Sequence, residues 1–272
     1  MSSLRSLVLG AVSIAALLAF ASAAGAADLL PTHKAPPAPI AAAPSWAGAY
    51  FGLEGGVDWA NSDWSTRALA GGLITPDNTA DTSFSRFGGR FGAYAGYNWM
   101  LSPATLFGVE GDIAADFFDS KSKNGIPGAL TFYPLAAPYS DNVSAKGSSY
   151  DGSLRVRLGA LVTPTTLIYA TGGVAFADSK FSVSCPGATG PNSFCAVDES
   201  GSTSPTRVGW TAGLGVETML TANWLLRAEY RYSGFGGKTT TFFPNGAAGF
   251  DAITAHTTYD ANMLNVGLAY KF

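Results

Sequence analysis

Few side chains in this chain could perform catalysis. It has two histidines, His33 in a proline-rich stretch and His256 in a polar stretch near Asp251 and Asp260. A histidine beside a carboxylate can act as a general acid or base, so His256 is the one catalytic candidate. No nucleophile elbow, phosphate-binding loop or metal-ligand spacing accompanies it. We therefore interpret His256 as a solvated loop histidine and expect no enzyme activity, no cofactor and no metal site.

The two cysteines, Cys185 and Cys195, lie close together in a segment rich in Ser, Gly and Pro. Disulfides persist in secreted proteins, and closing so short a loop stabilises by about 3 kcal/mol. The alternative is a metal site, but no histidine or third cysteine lies nearby to complete the ligands. We expect a disulfide between Cys185 and Cys195.

Charged residues recur at every second position of several segments, which places them on one face of a strand. The acids of this pattern are Glu54, Asp58, Glu110, Asp112, Asp116, Glu217 and Glu229, and the bases are Arg86, Arg90, Arg155, Arg157, Arg207, Arg227, Arg231 and Lys271. Arginine and carboxylate form the bidentate pair that best offsets the cost of burying charge. These residues therefore offer ion pairing, provided that the strands bring them together.

Eight segments carry this alternation, with apolar residues on the opposite face of each. They are residues 48–59, 86–99, 105–116, 154–162, 167–177, 207–217, 224–232 and 260–272. A tilted strand needs ~9–11 residues to cross a bilayer, which matches these lengths. Strands cross a membrane only as a closed barrel, because every backbone amide must be paired inside hydrocarbon. The sequence predicts an all-β fold, an eight-stranded antiparallel transmembrane β-barrel.

The connections between these segments alternate in length. Residues 100–104, 163–166 and 219–223 are short, whereas residues 60–85, 117–152, 178–206 and 233–259 are long and polar. Outer-membrane barrels have short periplasmic turns and long extracellular loops, so we expect the chain ends in the periplasm and the disulfide outside the cell. The loop lysines Lys121, Lys123 and Lys146 could meet lipopolysaccharide phosphates, although solvated lysines are the simpler interpretation.

The N-terminal region has the organisation of a secretory signal followed by a spacer. An apolar run follows Arg5, and Ala24-Gly25-Ala26 fits a cleavage site, so we expect a signal peptide over residues 1–26. An uncleaved membrane anchor is the alternative. Residues 27–45, rich in Pro and Ala, are interpreted as a periplasmic linker, and residues 46–272 as the barrel. The formal net charge of −3 argues against a nucleic-acid partner.

The chain ends in Asn265-Val266-Gly267-Leu268-Ala269-Tyr270-Lys271-Phe272. This end resembles the C-terminal signal by which outer-membrane barrels are recognised for insertion, with Gly267, Tyr270 and Phe272 as its key residues. Together with residues 46–52 and 224–232, it is similar to the small outer-membrane barrels called porin-family or opacity-like surface antigens. The resemblance implies a bacterial outer-membrane location, a surface or envelope role, and contact with membrane lipid, lipopolysaccharide and the barrel-assembly machinery.

The inward charges bear on function, because an eight-stranded barrel is just wide enough to be filled by side chains. We predict a ladder of ion pairs that fills the lumen, formed by Glu54, Arg90, Glu110, Arg157, Arg227 and Glu229. The protein would then be a structural, surface-exposed barrel. Two alternatives stay open. One is a small porin that passes small solutes, and the other is a receptor for a haem-like ligand bound by His256 and Tyr259.

Overall fold

The computed structural model describes residues 45–69, 81–118, 120–127, 141–146, 149–186, 197–204, 206–245 and 252–272. These residues form twelve strands in two sheets. Among them, no helix is long and apolar enough to cross a membrane. The strands of the larger sheet are β1 (Gly48–Leu69), β2 (Asp81–Ser102), β3 (Thr105–Phe118), β6 (Tyr150–Thr163), β7 (Thr166–Asp178), β10 (Thr206–Met219), β11 (Trp224–Phe242) and β12 (Ile253–Lys271).

The larger sheet is a closed barrel in which each strand is antiparallel to its neighbours. Its order is β1-β12-β11-β10-β7-β6-β3-β2. Pairing between β1 and β12 closes the ring and runs from Tyr50 opposite Lys271 to Leu69 opposite Ile253. The predicted eight-stranded barrel is therefore confirmed, and all eight segments lie in barrel strands.

Four barrel strands are much longer than the alternation predicted. β1 continues ten residues past Trp59 to Leu69, β11 and β12 extend to the same level, and β2 reaches the level of Ser65. The predicted strands are too short because the outward residues change from apolar to polar beyond Trp59, as at Asn61 and Asp63. The inward residues of β1 stay buried in this extension. Pairing continues beyond the apolar band, so hydropathy marked the edge of that band and not the end of each strand.

The smaller sheet consists of β4 (Lys121–Asn124), β5 (Asn142–Lys146), β8 (Lys180–Pro186) and β9 (Asp198–Thr203), paired in that order. Residues 117–152 and 178–206 were expected to be loops, and that expectation is wrong for these strands. β8 buries Phe181, Val183 and Cys185 at alternate positions. These strands were missed because they are short and mostly made of Ser, Asn, Lys and Asp.

The outward face of the barrel is a continuous apolar band with an aromatic border at each end. Phe87 is 67% exposed and Leu154 69% exposed on this face. At the end with the short turns, Trp99 stacks on Phe107 and Trp224 meets Tyr270. At the other end, aromatic pairs are formed by Trp59 with Tyr230 and by Trp210 with Tyr232. Aromatic rings prefer the membrane interface, so the two borders mark the limits of the bilayer.

Candidate functional site

The lumen of the barrel holds the charged side chains. All fifteen acids and bases of the alternating pattern are buried, from Glu54 in β1 to Lys271 in β12. Period-two alternation in a closed barrel sends these residues inward, while their apolar neighbours face out. Asp151 in β6 is buried in the same space. Asp151 was not among the predicted inward charges because residues 117–152 were assigned to a loop, and Gly152 offers no apolar side chain to mark an outward face there.

Five of the six residues of the expected ladder are connected by ion pairs. Glu54 lies 2.5 Å from Arg90 and 2.6 Å from Arg227. Arg227 also lies 2.7 Å from Glu110, which is 3.4 Å from Arg157. These contacts join β1, β2, β3, β6 and β11 across the interior. We call the connected set of lumen charges the ion-pair network.

Arg155 connects the sixth residue, Glu229, to the rest. Its two terminal nitrogens lie 2.6 Å from Glu229 and 2.6 Å from Glu110, and its side chain is fully buried. Arg155 was recognised as an inward base but was not placed in the ladder. No sequence signal could assign it there, because Glu110 and Glu229 lie on strands that are not neighbours in the sheet.

Arg90 extends the network toward the end of the barrel that carries the smaller sheet. It lies 2.9 Å from Asp112 and 2.6 Å from Asp151. Asp112 in turn accepts a 2.8 Å hydrogen bond from Arg231 and a short one from the Ser153 hydroxyl. The carboxylates therefore share arginines, and the arginines share carboxylates, through most of the lumen.

Inward tyrosines hold the network in place by lying over glycines of neighbouring strands. The Tyr50 hydroxyl donates a 2.7 Å hydrogen bond to Glu110, and the Tyr169 hydroxyl donates a 2.8 Å bond to Glu229. A β-carbon at Gly96 would collide with the Tyr50 ring, and one at Gly215 would collide with Tyr169. Glycine is needed at these positions because the ring occupies the space of a side chain.

An apolar cluster lies below the network, beside the short turns. We call it the lower cluster, and it consists of Trp46, Tyr50, Tyr94, Leu106, Leu167, Tyr169, Met219, Leu225 and Ala269. The Trp46 indole donates a 3.1 Å hydrogen bond to the carbonyl of Pro164, in the turn between β6 and β7. The cluster therefore fills the lumen at this end with large side chains.

A second apolar cluster lies above the network, between the barrel and the smaller sheet. This upper cluster consists of Trp64, Leu69, Phe84, Ile126, Val143, Ala145, Phe181, Val183, Cys185, Phe242, Ile253 and Ala255. Trp64 of β1 has its ring 5.6 Å from that of Phe242 in β11 and 6.1 Å from that of Phe181 in β8. The smaller sheet thus packs on the extended barrel strands and covers the lumen.

The catalytic candidate His256 has no acidic partner in the described part of the chain. It lies in β12 and not in a loop, and its Nδ1 is 3.0 Å from the Thr239 hydroxyl. Asp260 is four residues along the same strand, about 13 Å away at ~3.3 Å per residue, and Asp251 lies outside the described residues. Tyr259 is buried inside the barrel, whereas His256 faces outward. One haem iron could not contact both side chains.

Other predicted sites are only partly described. Cys185 is buried in the upper cluster, but Cys195 lies outside the described residues, so the disulfide stays a prediction. In the C-terminal signal, Gly267 lies beneath Tyr94, while Tyr270 and Phe272 pack their rings 5.3 Å apart on the outer face. Lys121 and Lys123 are exposed in β4, and the Lys146 side chain is outside the described part.

Comparison with known proteins agrees with this architecture. The family described as outer membrane protein beta-barrel domain matches residues 12–272. The 25 kDa outer-membrane immunogenic protein of Brucella abortus is 34% identical over 274 residues, covering all of both chains. The 22 kDa outer membrane protein of Rhizobium leguminosarum is 28% identical and covers 86% of this chain and 82% of its own.

Among solved structures, the outer membrane protein OprG of Pseudomonas aeruginosa is similar, with 14% identity and a TM-score of 0.44, over 83% of this chain and 96% of its own. The family match over most of the chain and the full-length relative confirm the expected resemblance and location. The chain belongs to the outer membrane protein beta-barrel domain family and is a protein of the bacterial outer membrane.

Proposed function

We propose that this protein is a non-conducting, non-enzymatic outer-membrane barrel that displays β-structure on the bacterial surface. The observation that carries the proposal is the ion-pair network. The side chains of Arg155 and Arg227 are fully buried, and each bridges carboxylates from different strands. In a water-filled channel, arginines and carboxylates stay hydrated. In this lumen they are buried and contact one another in place of water.

Two further observations support a closed lumen. The lower cluster fills the end with the short turns, and the upper cluster fills the opposite end. An ion would have to cross two apolar layers and one layer of paired charges. Small-solute passage, the porin alternative, would need all three layers to open.

Surface display is supported by the smaller sheet and the extended strands. Both lie beyond the aromatic border formed by Trp59 and Trp210, on the side opposite the short turns. In the proposed orientation this side is extracellular, and Lys121 and Lys123 lie where lipopolysaccharide phosphates would be. The Brucella relatives are named as immunogenic proteins, which fits exposure of this region.

The proposal also requires export and insertion. We assign residues 1–26 as the signal peptide and residues 27–45 as a periplasmic linker; of these, only Ser45 is among the described residues. We further assign Gly267, Tyr270 and Phe272 to recognition by the barrel-assembly machinery, and Cys185 with Cys195 to an extracellular disulfide. These assignments rest on the sequence patterns given above.

Single-channel conductance in a planar bilayer tests the proposal. The wild-type protein, refolded and inserted, should show no conducting events. The double variant Arg90→Ala with Arg157→Ala removes two guanidinium groups from the charged layer but leaves both apolar layers, so it should conduct only when Trp46→Ala and Trp64→Ala open those layers as well. The matched control is Lys121→Ala with Lys123→Ala, which removes the same charge outside the lumen and should stay silent.

Each outcome decides between functions. Steady conductance by the wild type would establish the small porin and end the closed-lumen proposal. If the fourfold variant is as silent as the wild type, although both are inserted, these three layers are not what closes the lumen.

A further inference from the structure

Three carboxylates converge inside the lumen, from three different strands. They are Asp58 of β1, Asp116 of β3 and Asp151 of β6, and an oxygen of each lies within 4.8 Å of an oxygen of the other two. All three residues are buried. Carboxylates at this separation repel one another in a low-dielectric interior, so their grouping requires a positive partner.

Arg90 is the one arginine that meets this group in the described part of the chain, and it is already shared. It contacts Asp151 at 2.6 Å, but it also binds Glu54 and Asp112. Its contact with Asp116 is longer, with 3.8 Å between the Arg90 Nε and the Asp116 Oδ1. One guanidinium therefore faces five carboxylates and cannot neutralise the three at this end.

Unpartnered oxygens provide a second, independent observation. Asp58 is 1% exposed, and its Oδ1 has no hydrogen-bond partner in the described part of the chain. The Asp116 Oδ1 also lacks a hydrogen-bond partner there. Buried polar atoms are nearly always satisfied, so two unsatisfied acceptors among converging carboxylates indicate a missing positive group.

The ion-pair network together with Asp58 carries more acids than bases, although three bases outside the network balance the charge of the lumen as a whole. Its eight carboxylates face five guanidinium groups; the carboxylates are Glu54, Asp58, Glu110, Asp112, Asp116, Asp151, Glu217 and Glu229, and the guanidinium groups are Arg90, Arg155, Arg157, Arg227 and Arg231. The remaining buried cations, Arg86, Arg207 and Lys271, form no ion pair within the described residues. Their side chains donate hydrogen bonds to hydroxyls or carbonyls.

We propose that Asp58, Asp116 and Asp151 bind one divalent cation of the calcium class inside the barrel. Oxygen ligands of Ca²⁺ lie at ~2.3–2.6 Å, so two of them can be up to about 5 Å apart, whereas Mg²⁺ holds them within about 4.2 Å. The oxygens of this group lie within 4.8 Å of one another, a spacing that the longer Ca²⁺–oxygen distances bridge with smaller shifts than Mg²⁺ would need. Asp151 can keep its contact with Arg90, because each carboxylate oxygen has more than one lone pair.

The cation would be enclosed during folding, since the upper and lower clusters cover both ends of the lumen. The proposal is thus independent of any activity in the extracellular region, and it also differs from lipopolysaccharide-associated calcium. A calcium ion bound inside the barrel should stay bound to protein that is refolded without lipopolysaccharide.

The test uses full-length protein, unfolded in a metal-free buffer and refolded into phospholipid vesicles with or without Ca²⁺. After extensive dialysis against a chelator, elemental analysis should find about one Ca²⁺ per chain, consistent with a single three-carboxylate site. Protein refolded with Ca²⁺ should also unfold at a higher temperature than protein refolded without it. Bound calcium below a tenth of this amount would overturn the proposal.

Variants locate the ion. Asp116→Asn and Asp58→Asn should each refold and lose the retained calcium and the temperature shift. Asp63→Asn, an exposed aspartate on the outer face of β1, is the matched control and should keep both. Retention of calcium by both lumen variants would place the ion elsewhere and refute this site. If one variant fails to refold, the other decides.

Discussion

At the scale of single residues, four lumen arginines each contact more than one carboxylate: Arg90, Arg155, Arg157 and Arg227. Arg227 bridges Glu54 and Glu110 while its guanidinium lies 3.4 Å from the centre of the Tyr94 ring. Bringing these charges out of water is costly, and the cost is offset only while every partner is present. Removing Arg227 leaves Glu54 and Glu110 buried with one cationic partner fewer each, so the network loses part of the attraction that offsets their desolvation.

Arg227→Ala should therefore lower the free energy of unfolding by about 3–5 kcal/mol, the range for breaking a buried ion pair. The measurement is urea-induced unfolding of the barrel in lipid vesicles. Arg67→Ala removes an exposed arginine from the extended part of β1 and should change stability by no more than about 0.5 kcal/mol. Equal effects of the two substitutions would show that the lumen pairs contribute nothing specific to stability.

At the scale of elements, the barrel strands and the smaller sheet form two different structures on one scaffold. Within the apolar band the eight strands enclose charged side chains. Beyond the band, the extensions of β1, β2, β11 and β12 face the smaller sheet across the upper cluster. The change follows from the solvent, because a segment in water needs an apolar core and a segment in lipid needs an apolar exterior.

Trp64→Ala should loosen the upper cluster without unfolding the membrane-spanning barrel. The ring is fully buried against Phe181 and Phe242, and truncating such a side chain costs about 3–5 kcal/mol. Limited proteolysis should cut the smaller sheet faster in the variant, while the barrel keeps its heat-modifiable mobility on gels. Trp210→Ala, a lipid-facing control, should leave the rate of cleavage unchanged. Loss of the whole barrel in Trp64→Ala would mean that the two parts fold as one unit.

At the scale of the whole molecule, the barrel has a short-turn end and an end built from extended strands and a second sheet. The lower cluster and the Trp46 contact with the turn at Pro164 belong to the first end. Outer-membrane barrels place their short turns in the periplasm, so this asymmetry sets the direction of the protein in the membrane. The extracellular surface is then the one formed by the extended strands and the smaller sheet.

Cysteine labelling checks this direction. In a background with Cys185→Ser and Cys195→Ser, a membrane-impermeant maleimide should label Ser122→Cys on intact cells and should not label Ala222→Cys. Both positions are exposed, the first in β4 and the second in the short turn before β11. After the outer membrane is permeabilised, both should react. The reverse pattern on intact cells would mean that the barrel is inserted in the opposite direction.

The sequence by itself determined the number of barrel strands, the facing of nearly every residue in the apolar band and the family. These features follow from period-two alternation, which is local: once Arg90 is inward, Phe91 must be outward. Alternation also identified fifteen of the buried lumen charges. It could not reveal the strands beyond the apolar band, because there the outward face is polar and the contrast between faces is lost.

Only the tertiary structure decided which charges meet. Arg155 joins Glu110 to Glu229 across the lumen, and Asp151 enters beside Arg90, although nothing in the local sequence links these residues. Such contacts depend on how the ring of strands closes and on the stagger between them, which sets the height of each side chain in the lumen. The same closure gathers Asp58, Asp116 and Asp151. The face on which a side chain lies depends on its own strand, whereas the charges that it pairs with depend on how the barrel closes.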